Sequence, residues 1–468
     1  MVPDRNGIAF GVFGRVAIVL PLALLAVNCG GSDHNTMNAP PPSVTISVSP
    51  STVNTGEAAT LTWSSTLAAS CTASGSWSGT EATSGTQTVT PTTTGSATYT
   101  LTCAAPSGSG YTGGGGATTS QSTTLTVNAA STFTVKNLVG DTAASAPATV
   151  DPNLVNPWGI VFGPGPVWVS NNHSSTSTLY DGNGVIQPLV VQLPAGTGGD
   201  TFDPTGIVFN SSSDFVVSSG GHSGAALFIY SGEGGSIAGW SNAVDLQHAI
   251  TVYTDTGGAV YKGLAIANNG TANFLYATDF HNGKIDVFDA TYTKQAAANF
   301  PFADSSVPAG YAPFGIQAIA NGPQGTMQIY VTFAMQQGPD NVDNANGAGL
   351  GIVDVFDTSG ALIKQLVAPG GALNAPWGLA LAPSDFGTFS NALLVGDFGD
   401  GKIYGYDPST GRFLGALTDS TGTPLSTPGL WGIAFGNDVQ QQPHNTLYFA
   451  AGPNDEANGL YGRIDLAH

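Results

Sequence analysis

The residues most suited to chemistry in this sequence are histidine and aspartate side chains that follow short apolar runs. Imidazole and carboxylate groups bind metals and polar ligands and transfer protons. We predict that they line one ligand-binding face, formed by His173, His222, Asp279, His281, Asp397 and Asp455. Asp279 and His281 are expected nearest its centre. The alternative is that these groups cap their own turns and meet solvent.

A second candidate site is the oxygen-rich stretch 336–347, which interrupts one of these turns. Asp340, Asp343 and Asn346 carry the carboxylate and amide oxygens that Ca²⁺ prefers, and Ca²⁺ is the only cofactor that the sequence suggests. The stretch does not follow the spacing of an EF-hand loop. Asn, Asp and Gly are also the ordinary composition of a solvated loop, so both interpretations stay open.

The elements that position these residues are repeats centred on a glycine. The first copy reads Pro157-Trp158-Gly159-Ile160, and the six glycines, 47 to 63 residues apart, are Gly159, Gly206, Gly263, Gly315, Gly378 and Gly432. Each copy is followed by further apolar runs, and in the second copy the next run is 214–218. Four strands in each of six units predict a six-bladed β-propeller over residues 132–468.

The sixth unit lacks its fourth run, because the chain reaches His468 after the run 460–466. An unassigned run, 132–139, stands just before the first unit. We predict that this strand pairs with the last blade, which holds Ile433, Tyr448 and Ile464. Such pairing would close the ring and remove two exposed strand edges.

Composition limits the classes of partner. The chain has 468 residues, 64 of them glycine, with 10 basic and 30 acidic residues and a net charge of −20. Nucleic acid is therefore excluded as a partner, because phosphate binding needs a basic face. Abundant Gly, Ser, Thr and Asn with few charged residues favours strands and tight turns. The fold class is all-β.

The N-terminus has the pattern of an export signal over residues 1–28, with Arg5 and Arg15 flanking an apolar core. Cys29 follows at once, and this arrangement resembles a bacterial lipoprotein signal. The resemblance implies a lipid anchor at Cys29 in the outer membrane or at the cell surface. The alternative is ordinary secretion to the periplasm or the medium. Residues 29–43 have the composition of a flexible tether.

Residues 44–128 alternate in short runs separated by Gly, Ser and Thr turns, which predicts an Ig-like sandwich. The stretches 61–65, 71–75 and 77–79 resemble bacterial Ig-like modules, although the order Trp63, Cys71, Cys103 departs from that of antibody domains. In an exported protein we predict a Cys71–Cys103 disulfide. Two buried free thiols are the alternative.

The repeat motif, Pro-Trp-Gly-Ile followed by Val-Phe-Asp-x-x-Gly, resembles the repeats of NHL-type six-bladed propellers. The stretches 151–159, 276–283 and 373–380 resemble an uncharacterised family of exported bacterial propeller proteins. This resemblance implies the fold and brings no known activity with it.

No phosphate loop, Gly-x-Ser-x-Gly elbow, zinc spacing or haem motif occurs in the sequence, so no catalytic residue is assigned. Two function classes remain. The first is a non-enzymatic propeller that binds a small molecule, glycan or protein through one channel face. The second is a metal-dependent hydrolase or lactonase, which needs carboxylates that converge on one cation.

Overall fold

The computed structural model describes residues 40–107, 116–194 and 201–467. Within these ranges the chain is built from strands, and its only helical turns are short 3-10 segments at Ala143–Ser145, Ala297–Asn299, Pro323–Gly325 and Gly387–Phe389. None of the described helical segments is long and apolar enough to cross a bilayer. The all-β prediction is confirmed. The signal, Cys29 and most of the tether lie outside the described residues.

The described chain divides into two compact units. The smaller unit contains the described residues up to Ser47 together with Thr62–Thr86 and Thr98–Thr123, and the larger contains Val48–Leu61, Gln87–Ala97 and the chain from Thr124 onward. The predicted domains at 44–128 and 132–468 stay predictions.

The first strands of the described chain form two sheets. The strands are β1 (Ser43–Ser49), β2 (Thr52–Asn54), β3 (Ala59–Thr66), β4 (Ser70–Gly75), β5 (Gly79–Glu81), β6 (Ser84–Val89), β7 (Gly95–Ala104) and β8 (Thr118–Asn128). The sheet orders are β1-β3-β6 and β2-β8-β7-β4-β5.

The smaller unit is held together by a disulfide and an aromatic cluster. Cys71 of β4 lies directly opposite Cys103 of β7, and the two sulfurs are bonded, which confirms the predicted bridge. Closing a loop of this size stabilises the fold by about 3–4 kcal/mol on the chain-entropy model. Trp77 packs edge-on against Trp63, at a centroid distance of 5.3 Å, and against Tyr99.

The chain from Phe133 onward forms a β-propeller of six blades, each of them one sheet. Blade 1 is β11 (Pro157–Phe162), β12 (Val167–Asn171), β13 (Thr176–Tyr180) and β14 (Ile186–Gln192); blade 2 is β15 (Pro204–Phe209), β18 (Phe228–Gly232), β19 (Ser236–Trp240) and β20 (Ile250–Thr254); blade 3 is β21 (Tyr261–Asn268), β22 (Asn273–Asp279) and β23 (Lys284–Phe288). Blade 4 is β24 (Tyr311–Ile319), β25 (Gln328–Met335), β26 (Gly351–Asp357) and β27 (Leu362–Val367); blade 5 is β28 (Pro376–Leu381), β29 (Leu393–Asp397), β30 (Ile403–Tyr406) and β31 (Phe413–Ala416). Blade 6 is β32 (Leu430–Phe435), β33 (Leu447–Ala451), β34 (Leu460–Leu466), β9 (Phe133–Gly140) and β10 (Thr149–Val150).

The innermost strands form a closed ring. Each contacts the first strand of the next blade, and β32 contacts β11. The repeat glycines make this approach feasible, since a Cβ on any of the six would fall within 3 Å of the next inner strand. On Gly159 it would lie 2.6 Å from the Thr205 carbonyl oxygen, and on Gly432 it would lie 2.5 Å from that of Trp158. The recurrence of glycine in the sequence therefore reflects the close packing of the six inner strands around the ring.

Buried hydroxyl groups join consecutive blades at the same level. Thr278 Oγ1 accepts the Gly263 N–H at 2.7 Å and donates to the Phe314 carbonyl of the next blade at 2.7 Å. Ser170 and Thr332 make the equivalent pair of bonds in blades 1 and 4. Each hydroxyl satisfies a backbone N–H that the local bulge in the inner strand leaves free.

The ring closes as predicted. Strand β9 pairs antiparallel with β34, so that Val135 lies opposite Ile464 and Gly140 lies opposite Leu460. The strand that precedes the first repeat thus completes the blade formed by the last.

Two details of the blade prediction are wrong. The run 214–218 is not the second strand of blade 2, because β16 (Val216–Ser219) pairs with β17 (His222–Ala225) in a separate hairpin. Gly220 and Gly221 both adopt positive φ, which lets the chain turn back on itself there. Blade 3 has three strands, and the chain after Phe288 folds over its edge through a bridge to Lys294.

Candidate functional site

The residues that precede the repeat glycines occupy the end of the channel where the inner strands begin. They are all buried: Trp158, Thr205, Lys262, Phe314, Trp377 and Trp431. Trp158 stacks on Trp431 with 3.5 Å between centroids, and Trp377 meets both edge-on at 6.0 and 5.8 Å. The indole rings therefore form an apolar plug at this end of the channel.

Lys262 is the one charged residue among these six positions. Its side chain is 2 % exposed, and its ammonium lies 5.1 Å above the Trp158 ring. It forms an ion pair with Glu233 and lies 3.6 Å from a carboxylate oxygen of Asp343. A buried ammonium needs such partners, since unpaired charge in an apolar setting costs several kcal/mol.

A second carboxylate, that of Glu456, contacts the indole plug at Trp431. Glu456 Oε1 accepts the Trp431 Nε1–H and the Asn156 Nδ2–H, both at 3.2 Å. Asn156 Nδ2 also lies 3.3 Å from His173 Nε2, and Asn172 Nδ2 donates to Glu233 Oε2 at 2.9 Å. We call this network the polar mouth: it consists of Asn156, Asn172, His173, Glu233, Lys262 and Glu456.

The two glutamates of the polar mouth differ in their electrostatics. Burial alone would raise the pKa of Glu233, but the charge of Lys262 and its hydrogen bond bring that pKa below the ordinary value. Burial also raises the pKa of Glu456, and the neighbouring Glu233 charge adds to the increase. Glu233 is therefore a stable anion, whereas the anion of Glu456 is disfavoured until a cation approaches it.

Of the predicted ligand-binding residues, His173 belongs to the polar mouth. Asp455 is exposed and enters none of its contacts, although its neighbour Glu456 does. His281 is partly exposed, and its Nδ1 lies 2.9 Å from the Asp340 carbonyl oxygen, in the turn of blade 3. The structure thus brings one of the six predicted side chains into the network.

Asp279 and Asp397 are buried in turns. Asp279 accepts hydrogen bonds from the backbone N–H of Val260 and from Asn282, and it lies 3.1 Å from the Lys284 ammonium. Asp397 accepts the Asn374 N–H at 2.7 Å. Both carboxylates join the second strand of a blade to the segment that enters its first strand. The expectation that Asp279 and His281 lie nearest the centre is corrected, because Lys262, Glu233 and Glu456 hold those positions.

His222 does not share this face. It lies in the β16–β17 hairpin, within the connection from β15 to β18. That connection leaves from the Phe209 end of β15, whereas the mouth is at the Pro204 end, where Pro204 lies opposite Gly232. The sequence placed His222 wrongly because 214–218 was interpreted as a blade strand.

The three residues considered for Ca²⁺ do not converge. The Asp340 carbonyl meets His281, the Asp343 carboxylate meets Lys262, and Asn346 Oδ1 accepts from Asn344 Nδ2 at 2.7 Å. Across the described residues, no group of three His, Cys, Asp or Glu side chains is arranged to hold a metal ion. The hydrolase alternative, which depends on such a set, stays a prediction without a ligand set to support it.

Sequence reasoning did not select Glu233 or Lys262 as site residues. A signal for Lys262 was available, because aligning the six copies on their glycines places this lysine in a column otherwise occupied by Trp, Phe and Thr. No comparable signal marks Glu233. Its blade was misaligned by the inserted hairpin, so the turn that carries it was not recognised.

Comparison with known proteins gives relatives but no activity. No family model matches the chain. Uncharacterized proteins R648 and L690 of Acanthamoeba polyphaga mimivirus are each 31 % identical to it over 349 residues, which is 72 % of this chain and 81 % and 86 % of theirs. The chain belongs to the family of these two viral proteins. The predicted bacterial origin stays a prediction.

Solved structures were also matched. A glucose dehydrogenase is 14 % identical and covers 71 % of this chain and 100 % of its own, with a TM-score of 0.42. A structural genomics protein of unknown function from Bacteroides thetaiotaomicron is 12 % identical. Its match covers 92 % of this chain and 99 % of its own, with a TM-score of 0.45. An auxiliary nutrient binding protein from Bacteroides ovatus covers 91 % and 98 % at 12 % identity and a TM-score of 0.43.

Proposed function

We propose that this protein is a binding propeller whose polar mouth takes a small ligand that carries a protonated amine. The observation that carries the proposal is Glu456. This half-buried carboxylate accepts hydrogen bonds from two neutral donors, Trp431 and Asn156, and no described cation lies within ion-pair distance of it. A ligand ammonium beside Glu456 would supply the missing counter-charge.

The charges around the mouth support a cationic ligand. Two carboxylates, those of Glu233 and Asp343, lie beside the Lys262 ammonium, and the third, that of Glu456, is near enough to feel the charges of Glu233 and Lys262. Lys262 is already committed to Glu233, since the two form an ion pair within a largely buried setting. An anionic ligand would meet excess negative charge, whereas a cation would reduce it.

The indole plug strengthens this preference. Trp158, Trp377 and Trp431 exclude water from beneath the carboxylates, and a lower local dielectric strengthens each charge interaction. Indole rings also attract cations, as the position of Lys262 over Trp158 illustrates. The polar mouth therefore combines negatively charged carboxylates with aromatic rings beneath them.

The finer features of the N-terminus belong to the same proposal. We infer that the protein is exported, that Cys29 carries the lipid anchor and that the sheets of residues 44–128 form an Ig-like spacer between anchor and propeller. The Cys71–Cys103 disulfide supports export, because such bridges persist in oxidising compartments.

The test uses the protonated diamines putrescine and cadaverine as cationic probes and 1,4-butanediol as a neutral analogue, titrated calorimetrically into the mature protein. We expect the amines to bind and the diol not to bind. Glu456→Gln should weaken putrescine binding about tenfold, which corresponds to about 1.4 kcal/mol. Asp455→Asn is the matched control, since it changes an adjacent exposed carboxylate and should leave the affinity within about twofold of wild type.

Affinity for putrescine should fall as the pH is lowered from 8 to 5, because the raised pKa of Glu456 favours its neutral form in acid. In Glu456→Gln this dependence should become weaker. Equal loss of binding in Glu456→Gln and Asp455→Asn would contradict the proposed site. Binding of the diol as tightly as the diamine would contradict the proposed ligand class.

A further inference from the structure

The channel end opposite the polar mouth is an open cavity of about 500 Å³, lined by strand backbone and by side chains that are almost all apolar. Its wall is formed by the later residues of the inner strands, and each blade contributes a partly exposed apolar side chain: Phe162, Phe209, Ile266, Ala318, Leu381 and Phe435. We call this cavity the apolar funnel. Its volume lies in the range of cavities that hold small organic ligands.

The funnel narrows inside the propeller. A ring of aliphatic side chains, one from each blade, separates it from the indole plug: Ile160, Ile207, Leu264, Ile316, Leu379 and Ile433. The space within this ring is about 30 Å³, which admits a water molecule but no organic ligand. A molecule in the funnel is therefore held at that end and cannot reach Glu456 or Lys262.

One polar side chain, that of Gln317, interrupts the apolar lining. The equivalent positions of the other blades are Val161, Val208, Ala265, Ala380 and Ala434. Gln317 is exposed, and its amide makes no hydrogen bond with any described residue. No charged side chain lines the funnel. Among the side chains that line the funnel, Gln317 is thus the one neutral hydrogen-bonding group.

We propose that the apolar funnel binds a small neutral molecule that is mostly apolar and carries one hydrogen-bonding group, with the Gln317 amide as its polar partner. Burial of apolar surface provides the affinity, and the single amide orients the ligand. Charged amphiphiles are disfavoured, because nothing in the funnel would pair with their head group. This site is independent of the polar mouth and does not depend on the function proposed there.

The probe is the neutral dye Nile red, titrated into the mature protein and followed by its fluorescence, with displacement by 1-decanol. Ala434→Trp places an indole in the funnel from a partly exposed position and should weaken dye binding at least about tenfold, or about 1.4 kcal/mol. Ile363→Trp adds the same indole to an exposed site on the outermost strand of blade 4 and should leave binding unchanged.

Ala318→Phe serves as a second filling variant, so the test does not depend on one substitution folding correctly. Gln317→Leu should leave dye binding intact but weaken displacement by 1-decanol about fivefold, the loss expected for one hydrogen bond. Nile red binding that persists unchanged in both filling variants, with wild-type melting temperatures, would overturn the proposed site. Unchanged displacement by 1-decanol in Gln317→Leu would overturn the role of the amide.

Glu456→Gln provides the remaining control. It lies beyond the aliphatic ring and should leave Nile red binding as in wild type. Loss of dye binding in this variant would overturn the separation of the two sites. Failure of putrescine to bind, with dye binding intact, would contradict the polar mouth alone.

Discussion

The two ends of the propeller channel are built by the same six strands, yet their chemistry is opposite. At one end the residues before the repeat glycines form an indole plug beneath charged groups. At the other end the residues after those glycines line an apolar funnel. Each end holds one conspicuous departure from the repeat, the charged Lys262 at the mouth and the polar Gln317 in the funnel, in neighbouring blades. These two positions are the ones on which the proposals for the polar mouth and the apolar funnel rest.

The first prediction concerns removal of the positive charge of Lys262 at the polar mouth. Lys262→Met leaves the partly buried Glu233 without its cation, and we expect the free energy of unfolding to fall by about 3 kcal/mol. Urea denaturation measures the change. The double variant Lys262→Met/Glu233→Gln should recover much of the loss, and Arg412→Ala, at an exposed basic residue in the turn between β30 and β31, should change stability little. A loss below about 1 kcal/mol in Lys262→Met would contradict the pairing.

The second prediction concerns the repeat glycines of the inner strands, which lie between the polar mouth and the apolar funnel. A Cβ on Gly378 would lie 2.6 Å from the Trp431 carbonyl oxygen and 3.0 Å from Ile433, so Gly378→Ala should destabilise by about 2–3 kcal/mol. Gly165→Ala is the matched control, because a Cβ there meets no atom within 4 Å. Thermal melting compares the two. Equal melting temperatures would show that the inner strands do not require glycine at this level.

The sequence was sufficient to predict the repeat, the all-β class, the closing strand and the disulfide. These features follow from local patterns, such as a recurrent glycine, alternation of apolar residues and two cysteines in opposed strands. The hairpin at 216–225 and the missing fourth strand of blade 3 were not predicted. An apolar alternating run does not indicate which strand it will pair with, and that choice depends on long-range packing.

The site was predicted less well than the fold. Asp279 and Asp397 have the residue type and the position of ligands, but their carboxylates turn toward backbone N–H groups. Whether an aspartate faces its own turn or the channel depends on side-chain geometry that spacing does not encode. Lys262 could have been found, because a lysine in a column of aromatic residues is chemically anomalous.

The third prediction concerns a carboxyl group far from both ends. Asp354 is buried, and neither of its side-chain oxygens has a hydrogen-bond partner among the described residues. Burial and the neighbouring Asp304 charge raise the pKa of Asp354 to about 7. In the folded protein this group therefore holds its proton over a pH range in which the unfolded chain has lost it. Its contribution to stability is complete below about pH 4 and is lost as the pH rises through about 7.

Asp354→Asn should remove this dependence. Between pH 5 and pH 8 the unfolding free energy of the wild type should fall by about 2 kcal/mol more than that of the variant, which is the size of a one- to two-unit pKa shift. Urea titrations at the two pH values give both differences. Parallel pH profiles for the two proteins would show that Asp354 is not held protonated by the fold.

We propose that one channel carries two separate sites of opposite chemistry. A titration of putrescine into protein already saturated with Nile red tests this directly. We predict that the diamine binds with the affinity that it has for the dye-free protein, to within about twofold, because the aliphatic ring keeps the ligands apart. If the dye abolished putrescine binding, or putrescine released the dye, the two ends would be a single site and the account given for them would be wrong.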